Sequence, residues 1–350
     1  MKYISNIVLI IVSIVLSLFF VELSLNYLWK NPFRDTRPSE IVELRLLSPS
    51  INKVLNREFL DKDIPFVKYR TNKNRFILPF NQHKNPQFTV LFLGGSTTQC
   101  SYVQEKLRFP ALVSTILNKN GLKVNTINSG RAGNTLHDSI NIFFNYLYKF
   151  KPDYTVIMHA TNDRGVLNRD HNYHSRMGQE VTFKQLLKWL GQSLSRIQII
   201  GLLRLTITKI FGKKFEYTGI SSIEQEKPSD IDTTPFYIRL KIFVNMVKHM
   251  GSIPILMTQP LANVRTNISP DWLNTPDQFK LNEMIRLAAK EQNVSLIDLS
   301  SYMKTVPDYE NHIEQYLYDG IHVSDMGSKL YANYISKRLI EISKLKENSQ

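Results

Sequence analysis

The sequence predicts an α/β fold over residues 88–346, in which a central parallel sheet is covered by helices on both faces, preceded by a single N-terminal transmembrane helix. Three observations lead there. Short apolar runs alternate with helix-patterned segments, which demands right-handed crossovers and a sheet buried on both sides. Each of the first runs ends in small or polar residues, as strand ends that line a ligand crevice do. The chain also opens with an uncharged apolar stretch about as long as a bilayer is thick.

From Tyr3 to Val21 no residue is charged, and Ile, Val, Leu and Phe dominate. Tyr27 and Trp29 follow at the position of an interfacial aromatic belt, and then Lys30. A cleaved signal peptide would carry a shorter apolar core and a small-x-small site, which Val21-Glu22-Leu23-Ser24 does not supply. The expectation is an uncleaved anchor over residues 1–29, with the remainder extracytoplasmic. Lys2 alone precedes the span while Lys30, Arg34 and Arg37 follow it, so the positive-inside rule does not favour that orientation. Residues 30–87 read as a polar, extended stem punctuated by Pro32, Pro38, Pro49 and Pro65.

The domain starts with Thr89–Leu93 as a strand ending in Gly94-Gly95, then a helix over Phe109–Leu117 stopped by Asn120-Gly121. Strands follow at Val124–Asn128, Tyr154–His159, Ile253–Thr258 and Val294–Leu299. Helices are expected at Leu136–Phe150, Ile238–Met250, Pro276–Gln292 and Met326–Leu345. An insertion at about 164–235 breaks the rhythm. It holds helix-like segments at Phe183–Leu190 and Ser195–Phe211 and a polar segment around Ser221–Thr234. The apolar second helix suits packing on the core, capping a cleft or lying on a membrane surface.

The single cysteine, Cys100, excludes an intramolecular disulfide framework and any multi-cysteine zinc site. The net charge of +14 is spread along the chain, with local excess over 53–84 and 204–214. No recognition helix or aromatic RNA-binding motif accompanies it, so nucleic acid is not expected as a partner. A basic surface beside an anionic membrane or an acidic polysaccharide accounts for the charge as well. His137, His159, His171 and His174 show no Glu-x-x-His or Cys pairing, and neither a metal nor a cofactor is expected.

The strand ends carry Gly94-Gly95-Ser96-Thr97-Thr98, Gly130-Arg131-Ala132-Gly133-Asn134 and Ala160-Thr161-Asn162-Asp163, while Asp319-Gly320-Ile321-His322 precedes the last helix. Together they supply the parts of an acyl-transfer site. A serine hydroxyl needs a base within reach, a histidine titrates near working pH, and a carboxylate three residues before it can fix its tautomer. Backbone N–H groups at Ser96 and Gly133 and the Asn162 amide are candidate oxyanion donors. Gly95, Thr97 and Gln259, in Met257-Thr258-Gln259-Pro260 on the same rim, are candidate substrate contacts.

On these blocks the chain resembles the SGNH (GDSL-type) hydrolase superfamily, in its membrane-anchored bacterial form. The four naming residues map to Ser96 in LFLGGSTTQ, Gly133 in NSGRAGNT, Asn162 in HATND and His322 in DGIH, with Asp319 completing the triad. The expected architecture is a three-layer, flavodoxin-like sandwich. Two positions depart from the usual blocks: Gly95 replaces the acidic residue before the serine, and Ala160 replaces a glycine. The resemblance implies a serine esterase working through Ser96, His322 and Asp319. Acylated cell-envelope carbohydrate is the expected substrate. O-acyl transfer, lipid ester hydrolysis or a catalytically silent envelope-assembly role are the alternatives on the same fold.

Overall fold

The computed structural model describes residues 2–29, 44–79, 83–170, 173, 194, 197–210, 231–262 and 279–347. The chain divides into two units, residues 1–43 with 177–226 and residues 44–176 with 227–350.

In the first unit, α1 (Lys2–Leu28) contains one stretch, Leu9–Leu28, long and apolar enough to cross a membrane. Its serines hide their hydroxyls on their own helix: Ser13, Ser17 and Ser24 donate to the carbonyls four residues earlier at 2.8–2.9 Å. That is how a helix carries polar residues among apolar ones.

The second unit begins with a β-hairpin, β1 (Asn52–Asn56) against β2 (Phe66–Arg70), antiparallel. The main sheet follows: β3 (Phe88–Gly94), a four-residue helix α2 (Ser96–Gln99), α3 (Phe109–Lys119), β4 (Val124–Asn128), α4 (Leu136–Ile142), β5 (Tyr154–Met158) and α5 (Thr161–Asp170). The insertion helix of the first unit, α6 (Gln198–Ile210), comes next in the chain. Then come α7 (Thr234–His249), β6 (Ile253–Met257), α8 (Lys280–Glu291), β7 (Ser295–Ile297), α9 (Leu299–Lys304), α10 (Ile313–Tyr316) and α11 (Asp325–Glu347).

All five main strands are parallel, in the order β4-β3-β5-β6-β7. This is the doubly wound, flavodoxin-like order, and the chain reverses direction across the sheet between β3 and β5. Pleating sends Val90 and Phe92 of β3 into one core with α3 and α11, and Leu91 and Leu93 into the other with α4, α7 and α8. Burial on both faces is why β3 reads as an unbroken apolar run.

The strand expectations hold to within a residue except at the sheet edge, where β7 has only three residues. Asp298 ends it by accepting from the Ser301 N–H and capping α9, so Leu299 is helical. The helix expected over 136–150 leaves α geometry after Ile142 and finishes in π and 3-10 turns to Phe150.

Residues 44–79, expected as an extended stem, fold instead as a strap on this unit. Arg57 is buried against Asp325, Arg70 forms a two-point pair with Glu105 (2.9 and 2.8 Å), and Arg75 donates to the Leu47 carbonyl. These polar pins replace an amphipathic period, which is why periodicity missed them. The segment Phe183–Leu190 lies outside the described residues. Within the segment Ser195–Phe211, Gln198–Ile210 form α6, whose N-terminal end is hydrogen-bonded to Glu22 and Asn26 of α1.

Candidate functional site

β3 delivers Ser96 to the rim of the sheet at the reversal between β3 and β5. Ser96 is the first residue of α2, so its N–H has no partner within the helix. Gly95 leaves room for the Asn162 side chain. A Cβ there would lie 2.4 Å from Asn162 Nδ2. The glycine that departs from the usual acidic residue therefore lets the Asn162 amide approach the serine turn.

His322 sits on a loop that starts after α10 and ends at α11. A bridge between Leu317 and Val323 and a bond from the Tyr318 N–H to the His322 carbonyl close this loop. Asp319 Oδ1 accepts from the Ile321 and His322 N–H groups at 3.0 and 2.8 Å, folding the turn around the carboxylate. Its Oδ2 lies 2.6 Å from His322 Nδ1, and His322 Nε2 lies 2.6 Å from Ser96 Oγ. With Nδ1–H donated to the carboxylate, Nε2 is the lone-pair acceptor for the serine proton. Burial works to raise the Asp319 carboxyl, but hydrogen bonds and charge from His322, joined by the Ile321 N–H, outweigh it. They hold Asp319 below the usual carboxylate range.

Aromatic rings brace the imidazole. Tyr318 stacks on His322 at 5.8 Å and 19°, and meets Phe59 of the strap and Tyr102 edge-on. Sequence reading missed this brace, as it missed Arg45. That residue donates to Asn134 Oδ1 (3.0 Å) and the Ala132 carbonyl (3.1 Å), gripping the loop that carries Gly133.

Ser96, Gly95, Thr97, Asn162, Gln259 and His322 line one pocket with Met158, His159, Ala160, Thr161 and Ile321, and it holds about 120 Å³. Gly133 does not line it. It occupies the adjacent loop at φ +73°, a left-handed conformation suited to glycine, and its neighbour Asn134 accepts from Asn162 Nδ2 at 2.8 Å. Gln259 is anchored at both ends of its amide. Nε2 donates to Thr97 Oγ1 (3.1 Å), and Oε1 accepts from the Thr161 N–H (3.2 Å). Asn282 further clamps its backbone. Gln259 and Thr97 thus tie the serine turn to the Asn162 loop.

Beneath Asn162 lies a buried polar knot. Asp163 Oδ1 accepts from the Leu136 N–H (2.8 Å) and the Tyr173 hydroxyl (2.5 Å), joining the Asn162 loop to the start of α4. Burial raises the Asp163 carboxyl to about 7 and lowers His159 to about 4. Their 3.7 Å approach is therefore not a full ion pair near neutrality, and His159 bonds to Ser139 Oγ at 2.8 Å. Cys100 is a packed thiol, bonded to the Thr97 carbonyl and pushed by burial up to about 12. His171 and His174 lie outside the described residues.

Residues 92–330 match the profile of the GDSL-like Lipase/Acylhydrolase family. No curated protein matches the chain. Among solved structures, the chain is similar to the lipase/acylhydrolase from Enterococcus faecalis, with 17% identity, a TM-score of 0.44, and coverage of 72% of this chain and 95% of that one. It is also similar to Axe2, an acetylxylan esterase from Geobacillus stearothermophilus, with 16% identity, a TM-score of 0.44, and coverage of 73% and 94%.

Proposed function

This chain belongs to the GDSL-like lipase/acylhydrolase family, and from that membership we propose that it is a membrane-anchored serine esterase removing short O-acyl groups, acetyl above all, from cell-envelope carbohydrate. The observation that carries the reading is the line from Ser96 Oγ to His322 Nε2 and from His322 Nδ1 to Asp319, 2.6 Å at each step.

Ser96 Oγ attacks the ester carbonyl carbon while His322 Nε2 takes its proton and Asp319 steadies the imidazolium. Negative charge collects on the carbonyl oxygen, toward the Ser96 N–H and the Asn162 amide. His322 then returns the proton to the departing alcohol. A water molecule, deprotonated by the same imidazole, attacks the acyl-enzyme and releases the acid and free Ser96.

Pocket size supports a short acyl group. At about 120 Å³ it is smaller than the ~150 Å³ apolar cavity known to accept benzene. The apolar helix α1 supports a membrane tether, and we set the catalytic unit on the outer side, against the charge bias of Lys30, Arg34 and Arg37. Fluorophosphonate labelling of wild type but not Ser96→Ala is the expected result, and equal labelling of both rejects the assignment. On nitrophenyl esters, activity should fall steeply beyond short chains, with acetylated sugars turned over. A preference for long chains overturns the carbohydrate reading in favour of lipid.

A further inference from the structure

The first unit contains two oddities that answer each other. Glu22 is the first acidic residue of the chain and stands within the apolar stretch Leu9–Leu28, where an ionisable group is costly unless partnered. Helix α6 begins after Ile197, whose side chain has no oxygen to cap the helix's free N–H groups. The structure joins them. Glu22 Oε1 accepts from the Gln198 N–H at 2.7 Å, and Oε2 from the Ile199 N–H at 3.1 Å. One helical turn further along α1, Asn26 Oδ1 accepts from Gln198 Nε2 at 2.8 Å.

The burial pattern follows the same seam. On the C-terminal part of α1 only Glu22, Leu25 and Trp29 are shielded, at the three- and four-residue spacing of one helix face. Among the described side chains of α6, Gln198 and Gly201 are buried and Ile199, Ile200 and Leu205 are half-buried, so shielding is concentrated in the turn next to Glu22. Beyond that turn, α6 leaves Leu202, Leu203 and Ile207 at 40%, 57% and 45% exposure. On α1, Phe20, Val21 and Leu23 are exposed to a similar degree.

We infer that α6 is a membrane-embedded segment: pinned at its N-terminus to the anchor helix through Glu22 and Asn26, it buries Leu202, Leu203 and Ile207 in the lipid acyl chains. Its 13 residues span ~20 Å, short of the ~30 Å hydrocarbon core, so it enters one leaflet without crossing. Capping by Glu22 pairs its carboxylate with the Gln198 and Ile199 N–H groups in that setting. The inference rests on the reading of α1 as a retained membrane helix.

The test uses the full chain in phosphatidylethanolamine/phosphatidylglycerol vesicles, with a nitrobenzoxadiazole fluorophore on Leu203→Cys or Leu16→Cys. The wild-type chain, whose Cys100 is buried, is the unlabelled blank. The expected result is that both labels are quenched by nitroxides on the lipid acyl chains and shielded from aqueous iodide. Glu22→Leu should reduce lipid quenching at Leu203 and leave it unchanged at Leu16. Quenching of Leu203 by iodide alone, with Leu16 still quenched from the lipid, overturns the inference while the anchor stands. Lipid quenching at Leu203 that survives Glu22→Leu overturns the pinning to α1. Absence of lipid quenching at both sites removes the anchor reading and this inference with it.

Discussion

Arg57 closes a two-pronged ion pair on Asp325, with Nη1–Oδ1 at 3.0 Å and Nη2–Oδ2 at 2.9 Å, while only 2% of its side chain is exposed. Asp325 opens α11 three residues after His322, and it also accepts from the Gln104 N–H and Nε2 at 2.9 and 2.7 Å. The strap thus fastens the far end of the loop that carries the imidazole.

Removing Arg57 leaves Asp325 with its Gln104 bonds but without its cation. Arg57→Ala should cost about 3 kcal/mol of stability, the lower end for a broken buried pair, because Asp325 keeps some solvent. Esterase activity should fall as the His322 loop loosens. Arg57→Lys restores charge without the two-pronged geometry and should fall between the two. Denaturant midpoints and kcat/KM for the three proteins check this, and an unchanged midpoint in Arg57→Ala would show that the strap braces nothing.

Asp319→Asn keeps an oxygen for the Ile321 and His322 N–H groups but cannot hold the imidazole in the required tautomer. The expected loss in kcat is about 10⁴-fold, with the fold retained by circular dichroism. Because the Asp319 carboxyl lies below its ordinary value, its stabilisation is complete above pH ~4 and fades as pH falls through the folded-state value. The variant lacks that acid-side loss, which melts at successive pH values would show.

Gly95 and Asn162 compete for one space. Asn162→Ala removes an oxyanion donor and should cost ~10²–10³-fold in kcat. Gly95→Ala should cost nearly as much, since its methyl would fall 2.4 Å from Asn162 Nδ2 and displace the amide. Once the amide is gone the methyl meets little, so the double variant should be far less impaired than the product of the singles. Multiplicative losses in a kinetic cycle would sink this coupling.

Legibility followed the kind of force involved. Strands such as Phe88–Gly94 were readable because burial on both faces demands apolar runs. Ser96 and His322 were readable because each follows a recognisable boundary, the end of β3 or the approach to α11. The strap was not, since Arg57 and Asp325 lie 268 residues apart and a single long-range pair leaves no periodic trace. Gln259 was placed correctly on the rim, but only coordinates reveal that both ends of its amide are engaged. Gly133 shows the converse: its motif is plain, yet the pocket is lined by residues of the other loops.

The knot beneath Asn162 carries a pH signature of its own. Asp163 is held by the Leu136 N–H and the Tyr173 hydroxyl, and its carboxyl is raised from 3.8 to about 7 by burial. Between pH ~4 and ~7 the folded protein retains a proton that the unfolded chain has released, so this group lowers stability as pH rises through that window. His159, depressed to about 4 by burial, acts in the opposite direction, because the unfolded chain binds its proton below pH ~6.5. The two slopes offset each other in wild type. Asp163→Asn preserves an acceptor for Leu136 and Tyr173 and removes the Asp163 titration, while His159 still titrates in both proteins. The variant should therefore gain on wild type from pH 4 to 7, by up to about 4 kcal/mol at ~1.4 kcal/mol for each tenfold change in proton affinity. Outside that range the difference should stay constant. Denaturation of the detergent-solubilised proteins at half-unit steps of pH measures the difference directly, and parallel curves would mean that Asp163 is ionised in the fold at pH 4 and that the knot is an ordinary ion pair.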